Sequence, residues 1–450
     1  MNDTICAIST ALGVGAISII KVSGTEAIDI VNSIFSSDIE KVDSHTIHYG
    51  YIKDNNEIID EVLVSVMRAP KTFTREDVVE INCHGGIATT NKVLELLLTK
   101  GCRLADPGEF TKRAFLNGRI DLTEAEAVMD LIDSKTEEAR RLAIQSLNGK
   151  TSKLISSLRE DLVNIISNIE VNIDYPEYND IYEVTIKDIK EKIDYFNNKL
   201  TKIVNEYEDS KILTKGINTV IIGRPNVGKS SILNKLLDDN KAIVTDIPGT
   251  TRDIVEGNIS FGGIELNIID TAGIRETNDI VEKIGVKKSL SKIDEADLVL
   301  IILNNNEELT KDDIGIIEKT KNKPSIIVIN KNDLISKIDV SKIDGREIIY
   351  TNTIDIDGIE SLKKKITEMF NLEEIKQKDY NYITNSRQIA KIKECIERIK
   401  DIKDSLNNDM TLDIIEIDLK NIWNVLGEII GESYSEELLD ELFSKFCVGK

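Results

Sequence analysis

Near the centre of the chain lies the octapeptide Gly223-Arg224-Pro225-Asn226-Val227-Gly228-Lys229-Ser230. It follows the β-branched run Thr219–Ile222 and precedes Ser231–Leu237, whose apolar residues have helical spacing. A strand, a glycine-rich loop and a helix in this order are typical of a phosphate-binding loop, in which backbone N–H groups surround phosphate oxygens. We therefore expect Lys229 to reach the β- and γ-phosphates of a nucleotide and the Ser230 hydroxyl to hold Mg²⁺.

Two tetrapeptides later in the chain each follow a predicted strand. The first, Asp270-Thr271-Ala272-Gly273, offers a carboxylate for the Mg²⁺ hydration shell and the Gly273 N–H group for the γ-phosphate. In the second, Asn330-Lys331-Asn332-Asp333, the Asp333 carboxylate can accept hydrogen bonds from the ring N–H and the amino group of guanine, a pair that adenine lacks. Ligands of parallel sheets bind at the C-terminal ends of the strands. Together the segments predict a guanine-nucleotide site.

A threonine between these segments completes the predicted nucleotide site. Thr251 follows Pro248-Gly249 and is placed to sense the γ-phosphate and Mg²⁺. Ile274 stands where a Ras-like GTPase has a water-orienting Gln, so hydrolysis needs another group. The nearest acids are Glu276, Asp279 and Glu282. The predicted GTP-binding residues are Asn226, Val227, Gly228, Lys229, Ser230, Ser231, Thr245, Asp246, Ile247, Pro248, Gly249, Thr250, Thr251, Asp270, Thr271, Ala272, Gly273, Asn330, Lys331 and Asp333.

Composition limits the classes of function that remain. A chain of 450 residues is long enough for about two to three domains. Its 57 basic and 79 acidic residues give a net charge of −22, so RNA binding over a broad face is disfavoured, and local basic patches or a basic partner would be needed. Apolar runs have the length of strands, and no signal peptide or membrane span is predicted. Five cysteines without a C-x-x-C pair fit reduced thiols in the cytosol.

The pattern along the chain predicts a multidomain protein of α/β and α classes. Residues 1–118 are predicted to be mixed α/β, and the loops Ala69–Glu76 and Ala105–Thr111 suit ligand binding, with ordinary surface turns as the alternative. From Asp121 the pattern becomes helical, with a capping box at Thr123–Glu126. Helical halves at 119–214 and 374–450 would form one bundle around an inserted P-loop α/β domain at 215–373.

A heptad-like seam runs through the first helical half. Its apolar residues are Ile186, Ile189, Ile193, Phe196, Leu200, Ile203 and Tyr207. We interpret the seam as intramolecular core, with a role in dimerisation as the weaker interpretation.

Along its whole length the chain resembles the tRNA modification GTPase family called MnmE or TrmE. Besides the nucleotide motifs, the matching stretches are Asp3-Thr4-Ile5, Val22-Ser23-Gly24, Thr74–Glu80, His84-Gly85-Gly86, Pro107–Gly118, Thr384–Arg387 and Cys447–Lys450. The resemblance implies a GTP-hydrolysing, Mg²⁺- and K⁺-dependent cytoplasmic enzyme with an N-terminal tetrahydrofolate-binding and dimerisation domain, a helical domain and a G domain.

The same resemblance implies a reaction and its partners. A homodimer would work with the flavoprotein MnmG in a heterotetramer. Together they would add an aminomethyl or carboxymethylaminomethyl group to carbon 5 of the wobble uridine of certain tRNAs. The one-carbon donor would be the 5-formyl or methylene form of tetrahydrofolate.

By position, the resemblance also implies roles for single residues. Lys21, Glu80, Arg119 and Lys450 would contact folate, with Lys21 in place of the family's usual Arg and Arg119 in place of its Lys. Glu282 would orient the attacking water, and Asn226, Thr245, Ile247 and Thr250 would hold K⁺. Thr351-Asn352-Thr353 is the weakest match, since a Ser-Ala pair normally touches guanine there.

For the folate site we expect cations near the carboxylates and an acid near the pterin ring. Arg119 and Lys21 would serve the carboxylates, and Glu80 would pair with N–H groups of the ring. Cys447 and Lys450 would lie near the one-carbon unit if the C-terminal tail docks onto an N-terminal domain, most simply that of a second subunit. Cys447 is a candidate active-site thiol, although a packing or positioning role ranks above a nucleophilic one.

One alternative from another functional class remains at this stage. A regulatory GTPase of the Era or Der type would bind ribosomal RNA without modifying it. Such a protein would carry a basic RNA-binding domain and would lack both the Glu109–Gly118 stretch and the Cys-Val-Gly-Lys ending. The acidic composition and the presence of both stretches favour the modification enzyme.

Overall fold

A computed structural model describes residues 3–174, 186–238, 257–261, 263–269, 293–343, 345–355, 358–377, 383–408 and 411–450. The chain divides into two compact units. The first contains residues 1–132, 145–200 and 390–450, and the second contains residues 133–144 and 201–389. In the described part of the chain, no helix is long and apolar enough to cross a membrane.

A six-stranded sheet organises the N-terminal part of the first unit. Its strands are β1 (Ile5–Ile8), β2 (Ile17–Ser23), β3 (Thr46–Asp54), β4 (Glu57–Met67), β5 (Val78–His84) and β6 (Arg103–Leu104). They lie in the order β3-β4-β5-β2-β1-β6, and all pairs are antiparallel except β1 with β6. Helices α1 (Ala27–Asn32) and α2 (Ile87–Thr99) cover one face and bury alternate residues of the strands. The residues between them, such as Ile5 and Ala7, point to the other face of the sheet.

Helix α3 (Glu109–Leu116) packs on that other face through Phe110. The sequence predicted Ala105–Thr111 to be a loop, which is wrong from Glu109 onwards. Turn-forming residues end at Gly108, whose φ of 68° is left-handed. The helix then begins because Phe110 is fully buried, a tertiary contact that local propensity does not reveal.

Helices make up most of the remaining first unit and continue into the second. They are α4 (Leu122–Asp133), α5 (Glu137–Leu147), α6 (Lys150–Asp174), α7 (Ile186–Lys215), α12 (Ser386–Asn407), α13 (Leu412–Ile430) and α14 (Glu436–Ser444). The predicted capping box at Thr123–Glu126 is wrong by two residues. Asp121 accepts the Glu124 N–H group, and Glu124 accepts the Asp121 N–H group in return. The heptad-like seam is confirmed as core, since its residues from Ile189 to Tyr207 are buried within the chain.

The second unit is built on a six-stranded, mostly parallel sheet. Its strands are β7 (Ile217–Ile222), β8 (Gly257–Phe261), β9 (Ile264–Ile269), β10 (Leu298–Asn304), β11 (Ser325–Asn330) and β12 (Ile348–Tyr350), in the order β12-β11-β10-β7-β9-β8. Its helices are α8 (Lys229–Asp238), α9 (Lys311–Lys319), α10 (Glu360–Met369) and α11 (Leu372–Gln377). Strand β7 is internal, and β10 and β11 lie beyond it. The loops after these three strands therefore meet at one edge.

Candidate functional sites

The octapeptide lies between β7 and α8, so the predicted order of strand, loop and helix is confirmed, while phosphate binding by the loop stays a prediction. Gly228 has a left-handed φ of 100°, and a Cβ there would lie 2.1 Å from the Asn330 side-chain nitrogen. The Lys229 ammonium donates to the Gly223 and Arg224 carbonyls at 3.0 and 2.8 Å and so spans the loop from inside. Only glycine fits at position 228, because any side chain would collide with Asn330.

The predicted guanine-reading loop lies directly against the phosphate-binding loop. Asn330, 1% exposed, donates from Nδ2 to the Val227 carbonyl at 3.1 Å. Lys331 donates from Nζ to the Asn226 carbonyl at 2.9 Å. The structure thus brings together two segments that lie about a hundred residues apart, as the sequence predicted.

Thr351, in the stretch that matches the family's guanine-contact motif least well, also lies at this loop. The Thr351 carbonyl accepts the Asn332 N–H group at 3.1 Å, and the Thr351 hydroxyl lies 3.3 Å from Asn330 Oδ1. Thr351 therefore supports the loop that carries Asp333, while Asp333 itself is exposed and accessible to a base.

Arg224 is a residue of this site that sequence reasoning missed. Its Nε donates to Asp313 at 2.9 Å, and its Nη2 donates to Glu307 at 2.8 Å. Asp313 is buried and also forms the capping box of α9 with Thr310. The guanidinium therefore ties the outer side of the phosphate-binding loop to a helix start. The Thr-x-x-Asp spacing was a visible signal for the cap, but nothing in the sequence paired it with Arg224.

Several predicted residues lie outside the described residues. They are Thr245, Asp246, Ile247, Pro248, Gly249, Thr250, Thr251, Asp270, Thr271, Ala272, Gly273 and Glu282. Their assignments to GTP, Mg²⁺, K⁺ and water activation stay predictions.

A second site lies on the N-terminal sheet, where Lys21 and Glu80 are cross-strand partners on β2 and β5. Lys21 Nζ lies 3.7 Å from Glu80 Oε1, and the two side chains are 17% and 30% exposed. The ammonium also lies 5.5 Å from the centroid of the Phe110 ring and 5.8 Å from that of Phe73. Burial lowers the pKa of Lys21, the Glu80 charge opposes this shift, and the nearby Lys450 charge adds to it. The site is a partly buried ion pair whose ammonium lies near two aromatic rings.

Arg119 also lies against the Phe73 ring. Its Cζ is 4.8 Å from the ring centroid, and its Nη1 donates to the Phe73 carbonyl at 3.1 Å. Lys21 and Arg119 are therefore both close to this ring. The pairing of Lys21 with Glu80 places it at the acid end of the site, whereas the sequence had grouped it with Arg119.

The C-terminal tail completes this second site. Gly108 and Phe110 donate their N–H groups to the Cys447 and Lys450 carbonyls at 3.3 and 3.2 Å. Gly449 has a φ of 91°, and a Cβ there would lie 2.5 Å from the Ile8 carbonyl oxygen. The tail therefore docks onto the N-terminal sheet of its own chain. The expectation that it docks most simply onto a second subunit is corrected by these contacts.

Cys447 contributes its backbone to this docking. Its carbonyl accepts the N–H groups of Gly108 and Lys450, while its side chain is exposed. The Cys447 backbone thus holds the tail against Gly108, and the residue is at the surface. A nucleophilic role for the thiol stays a prediction.

Behind the site, Arg113 fixes helix α3. Its guanidinium is 1% exposed and pairs with Asp3 and Glu109 at 2.9 Å and with Glu76 at 3.1 Å. A buried cation among three carboxylates is costly to disrupt, because removing it leaves buried charges unpaired. The network holds α3 and the segment that carries Phe73 in fixed positions, although the sequence alone did not reveal it.

Two family models match the chain. The model described as "GTP-binding protein TrmE N-terminus" matches residues 4–119, and the model described as "MnmE helical domain" matches residues 122–447. Together they span the sheet with the second site, the helices and the nucleotide-binding unit.

The chain belongs to the MnmE family of tRNA modification GTPases. Proteins named "tRNA modification GTPase MnmE" from Bacillus cytotoxicus and Geobacillus thermodenitrificans are each 50% identical to it over 455 and 458 residues. Each alignment covers 100% of this chain and 99% of the relative. The enzyme is therefore a GTP hydrolase in tRNA modification, and the alternative of an Era-type regulatory GTPase is excluded. A solved structure of Era with MgGDPNP and ribosomal RNA nucleotides is 30% identical, covering 34% of this chain and 56% of Era, but its TM-score of 0.26 supports no structural argument.

Proposed function

We propose that this MnmE-family chain uses a tetrahydrofolate one-carbon unit and GTP hydrolysis to modify carbon 5 of the wobble uridine of certain tRNAs. The product would carry an aminomethyl or carboxymethylaminomethyl group. One observation carries the proposal. The family resemblance selects Lys21, Glu80, Arg119 and Lys450 from four separate segments, and these residues lie together on one face of the N-terminal sheet.

The chemistry of this face fits a folate. A pterin ring needs an acceptor for its N–H groups, and the Glu80 carboxylate, 30% exposed, pairs with Lys21, whose ammonium lies near two aromatic rings. The glutamate end needs a cation, and the exposed Arg119 guanidinium against Phe73 meets that need. When bound, the folate would supply the one-carbon unit. The chain's own residues would bind and orient it, with the docked tail covering one side.

On the nucleotide side, the proposal assigns Mg²⁺ to Ser230 and Thr251 and K⁺ to Asn226, Thr245, Ile247 and Thr250. Ser230 is the second residue of α8, and Asn226 is exposed on the phosphate-binding loop with its carbonyl held by Lys331. Oxygen ligands of this kind suit both cations. Glu282 is proposed to orient the attacking water.

A homodimer through the N-terminal sheet is part of the proposal. Ile47, Tyr49 and Leu63 are 67%, 58% and 47% exposed on β3 and β4, and Ile17 on β2 is 63% exposed. Ile17, Tyr49 and Leu63 line a surface cavity of about 300 Å³. Ile47 also lies in the same cross-strand row as Lys21 and Glu80, so the apolar surface continues from the folate site. Sedimentation equilibrium of the full chain tests the proposed homodimer, and a monomer mass at micromolar concentration would contradict the proposal.

The proposal also includes MnmG as a flavoprotein partner in a heterotetramer and a cytoplasmic location. Both are supported by membership of the family and by tRNA as the substrate.

The experiment that tests the folate site is a direct titration of the full chain with 5-formyl-tetrahydrofolate. Glu80→Gln removes an acceptor for two ring donors, and each unpaired donor costs about 1–3 kcal/mol. We expect affinity to fall at least about tenfold. Glu57→Gln, at an exposed position on β4, is the matched control and should bind like the parent. GTP hydrolysis, measured in parallel, shows whether the variant is folded. Equal affinity of the two variants would contradict the assignment.

A further inference from the structure

Three cations lie on the two segments next to the Phe73 ring of the proposed folate site. We call Lys71, Arg75 and Arg119 the cationic rim; all three are exposed. Arg75 donates from Nη1 to the Asn117 carbonyl at 2.8 Å, and Arg119 follows two residues later against the Phe73 ring. Arg119 thus lies against the Phe73 ring, which Lys21 also approaches, and Lys71 and Arg75 are each two residues from Phe73 in the chain.

The segment that carries Lys71 and Arg75 of the cationic rim is anchored by its threonines. Thr72 and Thr74 are buried, whereas Lys71 and Arg75 alternate with them and are exposed. Thr74 is held through its hydroxyl by Ser23 at 2.7 Å and through its carbonyl by Asn117 Nδ2 at 2.6 Å. Hydrogen bonds of Thr74 therefore fix the short segment from which Lys71 and Arg75 reach solvent.

The backbone at Arg75 is unusual. Its φ of 59° is in the left-handed region, where glycine or asparagine is the ordinary residue. A residue other than glycine in this backbone conformation costs conformational energy, and such strained residues cluster at active sites and ligand-binding segments.

The rim cations lack the acidic partners that their neighbours have. In the described residues, Arg103, Arg113 and Lys112 each pair with a carboxylate within 4 Å. Over the same described ranges, Lys71, Arg75 and Arg119 have no carboxylate within 4 Å, although the Arg119 charge opposes the raised pKa of the Glu124 carboxyl. The chain has 79 acidic and 57 basic residues, so three exposed cations without such an ion pair, on two segments next to one ring, are an exception that an anionic ligand would explain.

We propose that the cationic rim binds the additional γ-linked glutamates of folylpolyglutamates, so that the enzyme prefers polyglutamylated tetrahydrofolate to the monoglutamate. The proposal rests on the proposed folate function and deepens it. Arg119 would take the first glutamate, and Arg75 and Lys71 the following ones. A chain of single carboxylates suits three separate cations. RNA suits them less, because three contacts provide only a small part of the counterion release that drives RNA binding.

The test compares (6S)-5-formyl-tetrahydrofolate with its pentaglutamate in titrations of the full chain. We expect the pentaglutamate to bind about tenfold more tightly, since exposed ion pairs are individually weak and two or three act together. Its affinity should also fall more steeply with added KCl. In the double variant Lys71→Gln/Arg75→Gln, the ratio of the two affinities should fall to about one. Glutamine keeps an N–H donor for the Asn117 carbonyl, which limits damage to the loop.

The control is Lys100→Gln, an exposed lysine without a described ion pair at the end of α2, which should keep the tenfold ratio. Equal affinities of the parent for both ligands would overturn the rim proposal and leave the folate site intact. Binding of neither ligand would overturn the proposed folate function itself. A double variant that keeps the ratio but loses affinity for tRNA would assign the rim to RNA instead and overturn the proposal.

Discussion

At the residue scale, both sites are made of pairs that are distant in sequence. Family resemblance placed Lys21 and Glu80 in one site, and their strands bring them within 3.7 Å. The Arg224–Asp313 pair and the Arg113 network could not be predicted in this way. Both join segments that are far apart in the chain, and a sequence pattern does not specify which acid meets which cation.

Asp333 provides a prediction at this scale. Asp333→Asn replaces an acceptor pair by a group that presents a donor to the guanine N–H groups, at a cost of about 1–3 kcal/mol per unpaired donor. We expect GTP affinity to fall by at least about tenfold and affinity for xanthosine triphosphate to rise. Competition binding with a fluorescent nucleotide measures both. Glu318→Gln, an exposed change in the same unit, should alter neither affinity. Unchanged GTP binding by Asp333→Asn would remove Asp333 from the base site.

At the element scale, the sequence predicted the strands around the nucleotide site well. The sequence predicts strands at Ile264–Ile269 and Ser325–Ile329, and the structure has β9 and β11 at Ile264–Ile269 and Ser325–Asn330. Strand β11 is an apolar run from Ile326 to Ile329, whereas β9 alternates buried and partly buried residues, and both patterns are typical of strands. Strand β6 has two residues and was not predicted, and the start of α3 was taken for a loop. Both depend on tertiary contacts: β6 pairs with β1, and α3 buries Phe110.

The tail is the element with the sharpest prediction. Gly449→Ala places a Cβ 2.5 Å from the Ile8 carbonyl oxygen and adds about 1–2 kcal/mol for a left-handed backbone. The tail should therefore leave its docking position, and wobble-uridine modification should fall in cells whose only copy is this variant. Nucleoside analysis of their tRNA measures the loss.

The matched control for the tail is Val448→Ala, because Val448 is 48% exposed. It should retain normal modification. GTP hydrolysis by Gly449→Ala should stay within about twofold of the parent, since the contacts that it breaks involve none of the nucleotide-site residues. Full modification by Gly449→Ala would show that tail docking is dispensable.

At the scale of the whole molecule, charge constrains how the enzyme meets its substrate. The net charge of −22 repels RNA over most of the surface. Contact with tRNA must therefore be local, or a partner must provide part of the basic surface. The proposed partner MnmG is consistent with this requirement.

Hydrolysis also poses a problem at this scale. Ile274 stands where a glutamine would orient water, so positive charge and water placement at the transition state must come from elsewhere. K⁺ held at Asn226 would supply the charge, much as an arginine finger does. The full chain should hydrolyse GTP faster in KCl than in NaCl at equal ionic strength. Removing one such electrostatic stabiliser costs about 100-fold in rate, and the comparison measures this directly as a turnover number.

The variant that tests the cation site is Asn226→Ala. Its turnover in KCl should fall to the level that the parent shows in NaCl, and its own rates in the two salts should be equal. GTP affinity should change little, because Lys229 and the loop backbone remain in place. Asn234→Ala on α8, outside the loop, is the control and should keep the K⁺ advantage. If the parent hydrolyses GTP equally fast in both salts while its nucleotide site is saturated, K⁺ has no part in the transition state.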